Sequence, residues 1–150
     1  MIKKDNFNDR ILQELSLDGR ISNTELADKI GLSPSACLRR VQELENSGLI
    51  KGYRVILDSE LLGNGFIAYV TVGLGEHTKE SQLAFEKAIM TAKEVKECHN
   101  VTGSFEYLLR VETANLKTYK SFHTDVLGVL PQVSTISTHV VMESPKDERA

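Results

Sequence analysis

Two short helices joined by one glycine turn constrain this chain more than any other feature of it. They lie in the run SNTELADKIGLSPSACLRRVQELENSGLI, residues 22–50. Ser22, with Glu25 three residues later, predicts a capping box in which each side chain satisfies a backbone N–H at a helix start. Leu26, Ala27 and Ile30 then fall on one helical face. Gly31 predicts the stop, because glycine reaches positive φ without a Cβ clash. Ser33-Pro34 predicts an immediate restart, with Ser as N-cap and Pro at the first helical position, where its missing N–H costs nothing. Helix, glycine turn and capped helix within so few residues spell a helix-turn-helix.

The second helix is predicted from about Pro34 to Asn46, with Gly48 as its stop. Cys37, Val41 and Leu44 form its inner stripe, and Ser35, Arg39, Gln42 and Asn46 the opposite one, with Ala36 and Glu43 beside it. Small and polar groups at the front of that face suit close approach to base edges, since Arg can chelate guanine and Gln adenine. A plain solvated face is the competing reading. The candidate DNA contacts are Ser33, Ser35, Ala36, Arg39, Arg40 and Gln42, with Lys51 and Arg54 beyond the helix as candidate phosphate contacts. Arg40 lies nearer the helix edge, which leaves it a phosphate contact or an internal ion pair.

The longer run DGRISNTELADKIGLSPSACLRRVQELENSGLIKGYRVILD resembles the N-terminal domain of the Lrp/AsnC (leucine-responsive, or feast/famine) transcriptional regulators. ECHNVTGSFEYLLRV resembles the loop-and-strand signature of that family's ligand-sensing domain, and STHVVME its last strand. The resemblance covers almost the whole chain in the family's order. It implies a DNA-binding regulator that takes an amino-acid effector, typically between dimers of a ring-shaped assembly.

Composition agrees with a folded chain. The 150 residues are 41% hydrophobic and 26% charged, which is globular rather than disordered or membrane-like. Apolar runs such as FIAYV are far too short to span a bilayer, and MIKKDNFNDR lacks the apolar core of a signal peptide. The expectation is a cytoplasmic protein with no membrane partner. Cys37 and Cys98 fall in different predicted domains and read as buried small hydrophobes rather than a redox pair. His77, His99, His123 and His139 are scattered, with no spacing that suits zinc, so no metal and no cofactor is expected.

Charge argues against simple DNA attraction. Residues 1–60 hold four lysines and five arginines against five aspartates and five glutamates, a net charge of −1. DNA-binding domains are often plainly basic. Attraction must therefore come from placement, with Lys3, Lys4, Arg39, Arg40, Lys51 and Arg54 on one face, and from several subunits acting together.

Along the chain, Phe7, Ile11, Leu12 and Leu15 predict a first amphipathic helix ended by Asp18-Gly19. Leu49, Ile50, Tyr53, Val55 and Leu57 predict a short hairpin or single strand, a wing. These make a winged helix-turn-helix over residues 1–60. DSELLGNG supplies a linker at 61–65, with Leu61 and Leu62 arguing that it is packed. From 66 to 150 the pattern changes. Strands are expected at about 66–74, 95–101, 107–112 and 133–142, and helices at about 81–92 and 116–128. That order is βαββαβ, the ferredoxin-like arrangement, so the fold class is α+β. Both faces of the first strand are largely apolar, and helices cover one face only. A second copy's sheet is the simplest cover for the other. The tail, SPKDERA, reads as disordered.

The loop Val101-Thr102-Gly103-Ser104-Phe105-Glu106-Tyr107 joins two strands. Gly103 permits an unusual turn and close approach of a ligand. Successive N–H groups in such a turn can cradle a carboxylate, Thr102 and Ser104 add hydroxyls, and Glu106 can accept from an ammonium group. A plain strand connection with a necessary glycine is the other reading of the residues alone. The resemblance implies that Thr102, Gly103, Ser104, Phe105, Glu106 and Tyr107 bind the effector, with Thr138, Val140 and Met142 of the last strand contributed by a neighbouring subunit. Ser104 departs from the family's commonest pattern, in which an acidic residue follows the glycine. Leu116, Val140 and Met142 are candidates for the side-chain pocket, and their apolar character favours leucine or methionine over asparagine.

The expected partners are double-stranded DNA, a free amino acid and further copies of the chain, as a dimer building towards an octamer. The alternative is a small dimeric ferredoxin-like enzyme with an accessory helical domain. No nucleophile paired with a base, no metal set and no paired carboxylates support it. His99 and His123 are the only plausible general bases, so no catalytic residue is assigned.

Overall fold

The structure, a computed structural model, describes residues 5–149. The chain divides into two compact units between Val55 and Ile56.

The first unit holds α1 (Asn6–Leu17), α2 (Asn23–Ile30) and α3 (Pro34–Asn46). Local rules set their ends. Asp5 caps α1 through the Asn8 N–H at 2.9 Å. Ser22 accepts the Glu25 N–H at 3.2 Å, which is one arm of the expected box; the returning Glu25 arm is absent among the described residues. Gly31 ends α2 at φ 82°, in the left-handed region. Ser33 caps α3 through the Ala36 N–H at 3.2 Å. Two bonds that join elements complete the turn. The Arg10 guanidinium donates to the last carbonyls of α2, Lys29 O at 2.6 Å and Ile30 O at 3.0 Å. Asn23 Nδ2 donates to Pro34 O at 2.8 Å. Ile11, Leu26, Ala27, Ile30, Cys37 and Leu44 form the core beneath.

The expected wing does not form as a strand. Residues 51–57 have no regular structure, and Tyr53, Val55, Ile56 and Leu57 are each more than half exposed. The reason is physical: the segment is rich in β-formers, but a strand needs a neighbour to bond, and the described residues of this unit hold no other strand.

The second unit holds β1 (Phe66–Leu74), α4 (Lys79–Met90), β2 (Val95–Asn100), β3 (Tyr107–Thr113), α5 (Leu116–Phe122) and β4 (Val133–Val140). The strands form one antiparallel sheet in the order β2-β3-β1-β4, which is the ferredoxin-like topology. Ala68, Val70 and Val72 of β1 and Tyr107, Leu109 and Val111 of β3 pack with Phe85 and Ile89 of α4 and Tyr119 and Phe122 of α5. The second helix is shorter than expected: α5 gives way at His123–Leu127 to a π-turn closed by Gly128 N–H donating to His123 O at 2.8 Å.

Two further expectations fail. Leu61 and Leu62 do not pack the linker, being 87% and 59% exposed. Polar bonds hold that segment instead, with Asp58 accepting the Leu61 N–H and Ser59 Oγ donating to Glu112. Residues 144–149 of the tail are also tied down rather than disordered. Arg149 donates to Asp147 at 3.2 Å and to the Tyr69 hydroxyl at 3.1 Å, and it pairs with Glu97 of β2. The tail carries both signs of charge, and so does the sheet face that it meets.

Candidate DNA-reading helix and effector loop

On α3 the geometry separates two adjacent arginines. Ser35, Arg39 and Gln42 are exposed and Ala36 is half-buried. Among the described residues Arg39 reaches only Glu43, one turn along at 3.3 Å, with both side chains more than half exposed. Such a pair stabilises little and opens readily. Ser33 is held by its capping bond and lies 3.3 Å from the Ser35 hydroxyl.

Arg40 points inward. Its guanidinium donates to the Asp5 carboxylate at 2.7 and 3.0 Å and to Asn8 Oδ1 at 3.1 Å, and stacks 5.2 Å above the Phe7 ring. Only 22% of the Arg40 side chain and 24% of Asp5 are exposed. Of the two roles expected for Arg40, the structure forms the internal ion pair, because α1 places an acceptor, an amide and an aromatic face around it. The Arg40 guanidinium, with the Asn8 N–H, holds the Asp5 carboxyl below its usual range. Lys51 and Arg54 are exposed beyond α3, with no acidic partner among the described residues. Lys3 and Lys4 lie outside the described residues.

The loop between β2 and β3 is closed by Val101 N–H donating to Glu106 O at 2.9 Å. Residues 102–105 project beyond that bond, with Gly103 at φ 121° and Thr102, Gly103 and Ser104 exposed. Phe105 and Glu106 are half-buried. Glu106 is not idle. One carboxylate oxygen accepts the Leu74 N–H at 2.6 Å, and the other lies 2.9 Å from His77 Nδ1.

Tyr107 does not line the loop's surface. It is 1% exposed, packs against Phe85, and donates its hydroxyl to Glu86 at 2.6 Å. Burial and the Glu86 carboxylate raise its pKa. Tyr107 shares the inward parity of Leu109 and Val111, which sends it to the core.

Leu116, Val140 and Met142 sit at the far end of the sheet, and Thr138 pairs with Val70 midway along β1. Val140 pairs with Ala68 near the start of β1, whereas Tyr107 pairs with Val72 near its end. Leu116 follows β3 at that far end, and Leu116, Val140 and Met142 are 64%, 48% and 97% exposed. Thr138 is bonded to the Tyr119 hydroxyl across the α5 side of the sheet. One chain therefore does not bring the loop together with Leu116, Val140 and Met142.

Asp5, Asn8, Arg10 and His77 have roles that sequence reasoning missed. Asp5 with Asn8 three residues on is a readable N-cap pattern. The Arg10 and His77 contacts span 19 and 29 residues, and nothing local announces them. His99 lies 3.2 Å from Glu97, and His123 packs edge-on to Tyr119 in the π-turn. Among the described residues no three metal-ligating side chains converge, and no helix is long and apolar enough to cross a membrane.

Comparison with known proteins places this geometry. Residues 5–51 match the model of a winged helix-turn-helix DNA-binding domain, and residues 67–150 match that of the Lrp/AsnC ligand-binding domain. The chain is 38% identical over 143 residues to the proline dehydrogenase transcriptional activator of Rhizobium radiobacter, covering 95% of this chain and 92% of that protein. It is 38% identical over 142 residues to the leucine-responsive regulatory protein of Escherichia coli K12, covering 95% and 87%. A transcriptional regulator of Neisseria meningitidis, solved as an L-Met complex, superposes with a TM-score of 0.93 at 30% identity, covering 97% and 94%. DNA and an amino acid are thus the partners of its two domains, and its work is regulation rather than catalysis. From its first helix to its last strand, the chain belongs to the Lrp/AsnC family of transcriptional regulators.

Proposed function

We propose that this regulator reads DNA with the exposed face of α3 and senses a free apolar amino acid, leucine or methionine, at the 101–106 loop. The observation that carries the reading is the loop itself. A left-handed Gly103 lies at the tip of an exposed turn, and a largely buried carboxylate, Glu106, lies at its base. These suit the two poles of an amino acid: backbone N–H groups for the carboxylate and a carboxylate for the ammonium group. Leu116, Val140 and Met142 lie too far from the loop to join it within one chain, so they belong to a site shared between subunits. Their exposure and that of 53–57 favour assembly, as a dimer building towards an octamer in the cytoplasm. Lys51 and Arg54 join Ser35, Arg39 and Gln42 on the DNA side. Ser33 and Ala36 shape the start of α3.

The related proteins supply the choice of amino acid: one is named for leucine and one was solved with L-Met. The relative named for activating proline dehydrogenase puts proline on the test panel. Calorimetry against all twenty amino acids, with sedimentation in the same buffers, tests the reading. Heat with leucine or methionine and a shift in assembly are expected. A well-folded oligomer that binds neither refutes it.

A further inference from the structure

Glu106 is built into the sheet on one side only. Its amide donates to Val72 O at 3.1 Å, and its carbonyl accepts from Val101 N–H and from Asn100 Nδ2. The β1–β4 register slips between Gly73 and Leu74, and the Leu74 N–H is bonded to Glu106 Oε2 at 2.6 Å. That oxygen belongs to the fold. The other, Oε1, faces His77 Nδ1 at 2.9 Å. The two partners differ sharply in exposure: 15% of the Glu106 side chain is accessible against 77% of His77. His77 sits in the short irregular segment between β1 and α4, flanked by Gly75, whose N–H donates to Gln132 O at 2.9 Å, and by Thr78, which caps α4 through the Ser81 N–H at 3.1 Å.

A sheltered carboxylate oxygen needs a donor. His77 supplies it here, from an exposed side chain whose rotation alone would break the contact. An ammonium group offers three donors and a charge-assisted bond in the same place. We propose that His77 is the internal stand-in for the effector's ammonium group, and that an amino acid displaces it from Glu106 in order to bind. This rests on reading the 101–106 loop as the effector site. It adds that His77 lowers the site's affinity and makes binding depend on the amine, because a carboxylate ligand without an amine leaves the His77–Glu106 pair closed.

Calorimetry on the full chain tests this with methionine and its des-amino counterpart, 4-methylthiobutanoate. His77→Ala is expected to bind methionine roughly tenfold more tightly, the scale of one lost competing bond to a charged group, with no gain for the des-amino acid. Glu106→Gln keeps an oxygen for the Leu74 N–H and loses the charge, so methionine falls towards the des-amino acid in affinity. The side-chain NMR signals of His77 should move with methionine and stay with 4-methylthiobutanoate. Equal or weaker methionine binding by His77→Ala, or an equal gain for both ligands, overturns the stand-in role while leaving the effector site in place. No amino-acid binding by the wild-type chain overturns both.

Discussion

Arg39 and Arg40 are neighbours in sequence with opposite employment. Among the described residues Arg39 is held only by an exposed pair with Glu43, which leaves it available to a base edge. Arg39→Ala should cost roughly 1–3 kcal/mol of operator affinity and relax sequence preference, measured by DNA titration at fixed salt. Arg40 ties α3 to the start of α1, so Arg40→Ala should lower thermal stability more than Arg39→Ala does. Its partner Asp5 has a carboxyl held below its ordinary 3.8, first by the Arg40 bond and then by the Asn8 N–H. A depressed carboxyl stabilises the fold above its unfolded value, and that contribution is lost as pH falls through the folded one. The stability gap between wild type and Asp5→Asn should therefore be full at neutral pH and shrink below pH 3.8; a gap that grows on acidification would refute the pairing. The α3 stripe was legible because helical period alone puts Ser35, Arg39 and Gln42 outside. The partner of Arg40 was not, because Asp5 lies 35 residues away. Tyr107 was legible and misread: its alternation with Leu109 and Val111 points inward, and the loop's resemblance to an effector site overrode that signal.

At the scale of elements, two glycines separate two physical costs. Gly31 sits at φ 82° with open space where a Cβ would stand. Gly31→Ala should cost about 1–2 kcal/mol, all of it backbone strain at the turn between α2 and α3. Gly128 has ordinary helical φ, but a Cβ there would lie 3.0 Å from Thr124 O and 3.1 Å from His123 O. Gly128→Ala should cost roughly 1–3 kcal/mol by crowding the π-turn. Chemical denaturation of both variants checks the pair, and a longer unbranched residue at each site separates them, since Met adds little at Gly31 beyond Ala and much at Gly128. Gly31 was readable because a capped restart follows at once. The π-turn was not, because Gly128 and Pro131 mark only that the helix ends. The wing failed for a reason of the same kind. Residues 49–57 carry β propensity, but propensity cannot supply a neighbouring strand.

For the whole molecule, the difficulty is that the DNA-binding half carries a net charge of −1. Arg40 is spent internally, which leaves Arg39, Lys51 and Arg54 as the exposed candidate contacts at and beyond α3. Lys51 and Arg54 give two phosphate contacts on one subunit, which bind weakly at physiological salt. Two subunits on one duplex double the count and make the second binding event intramolecular. For the proposed dimer, four phosphate contacts predict a fall of log affinity with log salt of slope about −4. A two-fold dimer also predicts a palindromic site with half-sites a multiple of about 34 Å apart. Lys51→Ala removes one contact from each subunit and should flatten the slope by about 2 while weakening all sequences alike. Arg39→Ala should instead weaken the operator more than random DNA, because a base contact distinguishes sequences and a phosphate contact does not. Titration of operator and random duplexes across a salt series reads both effects at once. A Lys51→Ala slope equal to wild type would remove Lys51 from the interface.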